Sequence, residues 1–193
     1  MWVSERVLLG LALGVAACAP TDPPMPDAGQ ECIVFASDFA GYESWPTSYS
    51  FPAEADAAPP STDGGCTSPH NFTVPRKVYI NTTPPDGSTE FPVCTKIVKE
   101  ALVTSDPSTW QVYGMVKQDN TFAPGSGCVG WNWLELTDST NGATPANPTI
   151  VWQGANPPPN SYQGCQACSS CHTNAQNDGT PNDCVWMIPL TSF

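Results

Sequence analysis

Nine cysteines in a chain of 193 residues constrain this sequence more than any other feature. A reducing cytosol keeps thiols apart, so a count this high points to an oxidising compartment, where cysteines pair. The count is odd, so disulfides alone do not account for it. The N-terminus agrees with export. Val7–Ala17 reads VLLGLALGVAA, with Arg6 before it and small residues after it. A spanning helix needs about 20 apolar residues. This shorter run is therefore expected to be the hydrophobic core of a secretory signal covering residues 1–17.

Val15-Ala16-Ala17-Cys18 resembles the lipobox of bacterial lipoproteins, in which the cysteine is lipidated and becomes the first residue after cleavage. The alternative is an ordinary signal peptide cut near Ala19. Residues 18–31 contain four of the prolines, no basic residue and little to bury, and read as a lipidated, solvated tether extended by its prolines. The chain carries 18 acidic against 6 basic residues, a net charge of −12. An anionic lipid surface repels such a body, so the membrane would hold it through the acyl anchor alone. The expected location is a bacterial membrane, facing the periplasm or the cell exterior. The same balance excludes nucleic acid as a partner, because phosphate contacts need clustered Lys and Arg.

Residues 165–172 read C-Q-A-C-S-S-C-H, and within them Cys168-Ser169-Ser170-Cys171-His172 is the CxxCH pattern of c-type haem attachment. Two thiols three residues apart on one turn can reach the two vinyl groups on one porphyrin edge. The following imidazole then ligates the iron from the proximal side, which makes His172 the candidate metal ligand. Cys165 and Cys168 are also spaced as CxxC, but Ser169 follows them, so Cys165 is not read as a haem thiol. A ferredoxin-type cluster fits the first three cysteines and fails at the fourth position, which is Ala175. A zinc site built from Cys165, Cys168, Cys171 and His172 would crowd all its ligands into one short segment. A third alternative is disulfides with a bystander histidine. His70, in a polar loop context, and Met187, in the apolar run Val185–Ile188, are the candidates for a sixth iron ligand; their bland readings are an exposed loop residue and core packing.

Between tether and motif the pattern has a period of two. Arg76–Ile80, Ile97–Val103, Thr109–Lys117, Gly130–Leu136 and Thr149–Trp152 read as strands, separated by segments rich in Pro, Gly, Asn and Asp. No long amphipathic helix is evident. The expected fold is mainly β (β-rich α+β), an antiparallel sheet with a c-type haem site near the C-terminus, in one domain spanning residues 32–193. Asp38–Ser61 receives no assignment. Trp131 and Trp133 share a strand face with Glu135, while Asn132, Leu134 and Leu136 share the other. That aromatic face can fill a core and can also wall a porphyrin. Beyond the signal the bases are Arg76, Lys77, Lys96, Lys99 and Lys117, all within one stretch before the motif. Haem propionates would call for cationic partners, although Lys77, Lys96 and Lys117 are expected to be exposed strand residues.

The order of these segments resembles cytochrome P-460 and its relative cytochrome c′-beta. Phe91-Pro92-Val93-Cys94-Thr95-Lys96-Ile97-Val98-Lys99-Glu100 is similar to the family's FPxxTxxxKE strand, and the motif CxxCH lies near the end, as in the family. Val74–Asn81, Gly114-Met115-Val116-Lys117, Trp131-Asn132-Trp133 and Asp183-Cys184-Val185-Trp186 follow the family order, over roughly residues 70–190. The match departs at Val93-Cys94, where the family has Asp-Gly. The resemblance implies that Lys99 is bonded covalently to the porphyrin edge and that the sixth iron position is open. It implies hydroxylamine oxidation, or nitric oxide binding in the c′-beta branch, so the ligand or substrate would be a small nitrogen-oxide-type molecule. It further implies Arg76 in the distal pocket, a redox partner protein, and a homodimer. Because Lys99 and Glu100 are adjacent they leave a strand on opposite faces. A carboxylate serving the haem side would then be Glu135, whose alternative is an exposed strand residue. The competing readings are a six-coordinate electron-transfer haem lipoprotein and a disulfide-stapled surface domain without haem.

On the haem reading the cysteines divide without remainder. Cys18 takes lipid, Cys168 and Cys171 take haem, and Cys32, Cys66, Cys94, Cys128, Cys165 and Cys184 remain as disulfide candidates, with no pairing fixed by the sequence.

Overall fold

The alternation of apolar and polar residues folds as a sheet. The computed structural model describes residues 32–53, 74–124, 127–137, 146–155, 168–173, 183–185, 188 and 190. Six strands follow one another in space as they do in sequence: β1 (Thr47–Phe51), β2 (Arg76–Ile80), β3 (Lys96–Ala101), β4 (Gln111–Lys117), β5 (Trp131–Thr137) and β6 (Trp152–Gly154). Every neighbouring pair is antiparallel. The described residues therefore form a mainly antiparallel β fold with little helix. The sixth strand lies slightly later than its sequence suggests, although Thr149 and Val151 already donate their N–H groups to the Leu136 and Glu135 carbonyls.

β1 carries no sequence assignment. Its residues TSYSF alternate small polar with aromatic, between Pro46 and Pro52, and its exposure alternates accordingly along an edge of the sheet. Edge strands tolerate flanking prolines because one side of the ladder faces no partner.

Central strands are buried on both faces, and each face has its own core. One cluster joins Val78, Ile80, Ile97, Met115, Trp131 and Trp133 of the sheet to Phe91, Cys128 and the C-terminal Cys184, Val185, Ile188 and Leu190. The other joins Tyr79, Val98, Val112, Val116, Leu134 and Leu136 to Cys32, Phe39 and Tyr42 of the N-terminal segment. Burying each such side chain contributes about 1.5–3 kcal/mol. Gly130 turns the chain into β5 at φ 78°; a Cβ there would lie 3.1 Å from the Gln118 carbonyl oxygen, so the site suits glycine alone.

Disulfides fasten both coverings. Cys32 pairs with Cys94 and Cys128 pairs with Cys184, closing separations of 62 and 56 residues. Gln118 reinforces the first by accepting from the Cys32 N–H (2.6 Å) and donating to its carbonyl (3.0 Å). Cys66 and Cys165, like Cys18 and the whole N-terminal segment 1–31, lie outside the described residues. Among those described, no helix is long and apolar enough to cross a membrane.

Candidate functional site

The CSSCH segment forms a short helix, α1 (Cys168–Thr173). A one-and-a-half-turn helix brings residues three and four apart to one side. Cys168 is half-buried against the cluster on the first face of the sheet. Cys171 lies in the same helix. His172 packs its ring against Trp133 of β5, with centroids 4.6 Å apart and planes tilted by 57°. Its Nδ1 lies 2.7 Å from the Cys184 carbonyl oxygen. Burial lowers the His172 pKa from 6.5 to about 4, and the Lys99 charge acts in the same direction. The imidazole is therefore neutral at physiological pH, the form in which histidine ligates metals.

Lys99 belongs to the same face. Register sets Tyr49 opposite Val78, Val78 opposite Lys99, Lys99 opposite Tyr113, Tyr113 opposite Glu135, and Glu135 opposite Trp152. Directly opposed residues in an antiparallel pair share a face, with Cβ atoms about 4.5–5.5 Å apart. One transverse row thus carries an ammonium, a phenol and a carboxylate between aromatic ends. Glu135 is half-buried rather than exposed and accepts a 2.7 Å hydrogen bond from the Trp152 indole. Arg76 enters from β2, buried, with Nη2 donating to the Pro52 carbonyl at 3.4 Å and its guanidinium 6.0 Å from the Phe51 ring centroid.

Glu100 faces the other way. It is fully buried in the second cluster, where Tyr42 and Tyr79 donate to its two carboxylate oxygens at 2.7 and 3.1 Å. Desolvation raises its pKa, and the two tyrosine hydrogen bonds oppose that rise only in part. Both phenols are themselves pushed upward, first by burial and then by the Glu100 carboxylate.

Lys117 corrects the expectation of an exposed strand residue. It is 2% exposed, ion-paired with Asp183 at 2.9 Å, and its ammonium lies 5.3 Å from the Trp131 ring centroid. Nothing near Lys117 in sequence signals this, because the partner is 66 residues away. Lys77 and Lys96 are half-buried rather than exposed, and Lys96 reaches Asp38 at 3.8 Å.

Two side chains of the site carry no role in the sequence reading, Tyr113 in the charged row and Trp152 on Glu135, while Trp133, read there as an aromatic wall, stands beside His172. The strand alternation puts each of them on this face, but pairing across strands is needed to see which residues they meet. The Trp133 indole N–H is buried and has no hydrogen-bond partner among the described residues. Also among those residues, no three His, Cys, Asp or Glu side chains gather as a metal-binding cluster. His70 and Met187 lie outside them. The chain matches no family model, no curated protein and no solved structure.

Proposed function

We propose that the chain is an exported lipoprotein carrying one c-type haem, held by thioethers to Cys168 and Cys171 and ligated by His172, on the Lys99 face of the sheet. The observation that carries this reading is the half-buried His172 of a CxxCH helix packed on Trp133, on the face of the sheet that Lys99 shares. The residues present fit such a group. The buried Trp133 N–H lacks a partner among the described residues, as a donor awaiting a polar edge would, and aromatic rings line the same face. When bound, haem iron supplies one-electron chemistry and an open coordination position.

By resemblance to cytochrome P-460, the small molecule acted upon or bound is hydroxylamine or nitric oxide. Arg76 and Glu135 suit such a molecule chemically. A guanidinium stabilises negative charge developing on a bound oxygen. The Glu135 carboxylate, in the same row as Lys99, offers a proton acceptor that Glu100 on the far face does not. Lys99 is the residue that a porphyrin cross-link would use.

A pyridine haemochrome assay on protein matured with c-type assembly machinery tests the reading. Covalent haem at one per chain is expected, and its absence would end the proposal. A high-spin, five-coordinate spectrum is expected of an open iron site, while a low-spin spectrum would favour the electron-transfer reading. A haem mass that stays cross-linked after loss of both thioether cysteines, and is released in Lys99→Ala, separates the P-460 branch from the c′-beta branch.

A further inference from the structure

Asp183 and Cys184 both adopt left-handed backbone, with φ of 46° and 66°. Two such residues in succession, neither of them glycine, are uncommon, and such a conformation persists only where its surroundings over-determine it. Four contacts do so here. Lys117 of β4 pairs with the Asp183 carboxylate at 2.9 Å. The Phe91 N–H donates to Asp183 Oδ2, also at 2.9 Å. Trp131 of β5 donates its indole N–H to the Asp183 carbonyl at 2.9 Å. Cys184 is tied to Cys128, just before β5. The group that this fastened turn presents is the Cys184 carbonyl, 2.7 Å from His172 Nδ1.

A carbonyl only accepts, so the contact requires the proton to sit on Nδ1. The opposite tautomer would set lone pair against lone pair. An acceptor on Nδ1–H also fixes the ring's orientation and raises the basicity of Nε2. We infer that the Asp183–Cys184 turn, clamped by Lys117, Trp131 and the Cys128–Cys184 disulfide, is a positioning device that holds His172 as the Nδ1–H tautomer with Nε2 as its ligating nitrogen. Lys117, Asp183 and Cys184 act through His172 and are positioning residues. The consequence for iron rests on the haem reading above; the tautomer does not.

Two variants of the full chain test the clamp: Cys128→Ser/Cys184→Ser, and Lys117→Met/Asp183→Asn, which removes both buried charges together. Leu134→Ala, on the opposite face, controls for general loss of stability. In haem-loaded protein, resonance Raman of the ferrous state reads the iron–histidine stretch and titration reads the reduction potential. In protein without haem, the nitrogen-15 shifts of the His172 ring report the tautomer. The parent and Leu134→Ala are expected to share one signature with the proton on Nδ1. Either clamp variant is expected to lower the stretching frequency and raise the potential, or to gain the Nε2–H form. Identical His172 signatures in the parent and both clamp variants would overturn the inference, as would an Nε2–H ring in the parent or an equal shift in Leu134→Ala. Absence of covalent haem from the parent would defeat the haem reading while leaving the tautomer measurement to decide this one.

Discussion

Lys99 and Glu100 are consecutive in β3 and occupy opposite sides of the sheet: the lysine stands on the His172 face, the glutamate in the core beneath the N-terminal segment. One residue step separates a half-buried ammonium from a carboxyl sealed in the interior. The two are therefore expected to respond differently to substitution and to pH.

Glu100 should make the fold less stable as pH rises. Its carboxyl titrates above the ordinary value of 4.5 in the folded chain because burial disfavours the ionised form. A raised folded value means that its favourable contribution is complete below about 4.5 and is lost as pH climbs through the folded value. Glu100→Gln keeps an acceptor for one tyrosine and a donor for the other, without a charge. Urea unfolding across roughly pH 4 to 8 should show the variant gaining on the parent as pH rises. A constant difference between the two would sink the idea.

Lys117→Met alone should be far more damaging than its position in a strand suggests. Removing the ammonium leaves Asp183 buried without its ion-pair partner, at a cost of about 3–5 kcal/mol. Adding Asp183→Asn should recover much of that loss. Chemical denaturation of the two variants beside the parent measures both steps; equal stabilities for the single and double variants would contradict the pairing.

Loss of the Cys32–Cys94 bridge, in Cys32→Ser/Cys94→Ser, should lower stability by about 2–4 kcal/mol, because it frees a long loop in the unfolded chain. The effect should fall on the Tyr42–Glu100 side. Hydrogen exchange is expected to accelerate at Cys32–Tyr42 positions while Trp131 and Trp133 stay protected.

Trp133→Phe should leave the fold within about 1–2 kcal/mol of the parent while changing the surroundings of His172, since it shortens the ring and deletes the buried N–H. Trp133→Ala should cost about 3–5 kcal/mol. Thermal unfolding ranks the two, and on the haem reading the Soret band of the phenylalanine variant should shift. An unmoved spectrum would remove Trp133 from the site.

Much of the sheet is legible in the sequence. The strands around Val78, Val98, Met115 and Leu134 announce themselves through alternation of β-branched and aromatic residues, and the same alternation separates Lys99 from Glu100 and Trp133 from Leu134. What the sequence hides is whatever depends on a distant partner. Lys117 reads as a solvated strand end until Asp183 is brought beside it. Glu135 is left between an inward acid and an exposed one until Trp152 bonds it. β1 escapes notice because its inward positions are only Thr47 and two half-buried aromatics between prolines. At the CxxCH motif the spacing supports only a proposal of haem attachment, and the carbonyl that meets His172 belongs to a turn twelve residues later, whose backbone shape follows from contacts rather than from its own residues.

The strand order carries a consequence for how the molecule assembles. Because each strand pairs with its successor, the ladder can be laid down one strand after another as the polypeptide lengthens, with no crossover to await. The segment bearing Cys168, Cys171 and His172 follows all six strands in the chain, so it meets a sheet whose pairing partners have already been made. Cys32 and Cys94 both precede it and can meet before its thiols emerge, whereas Cys128 has to wait for Cys184, which follows them.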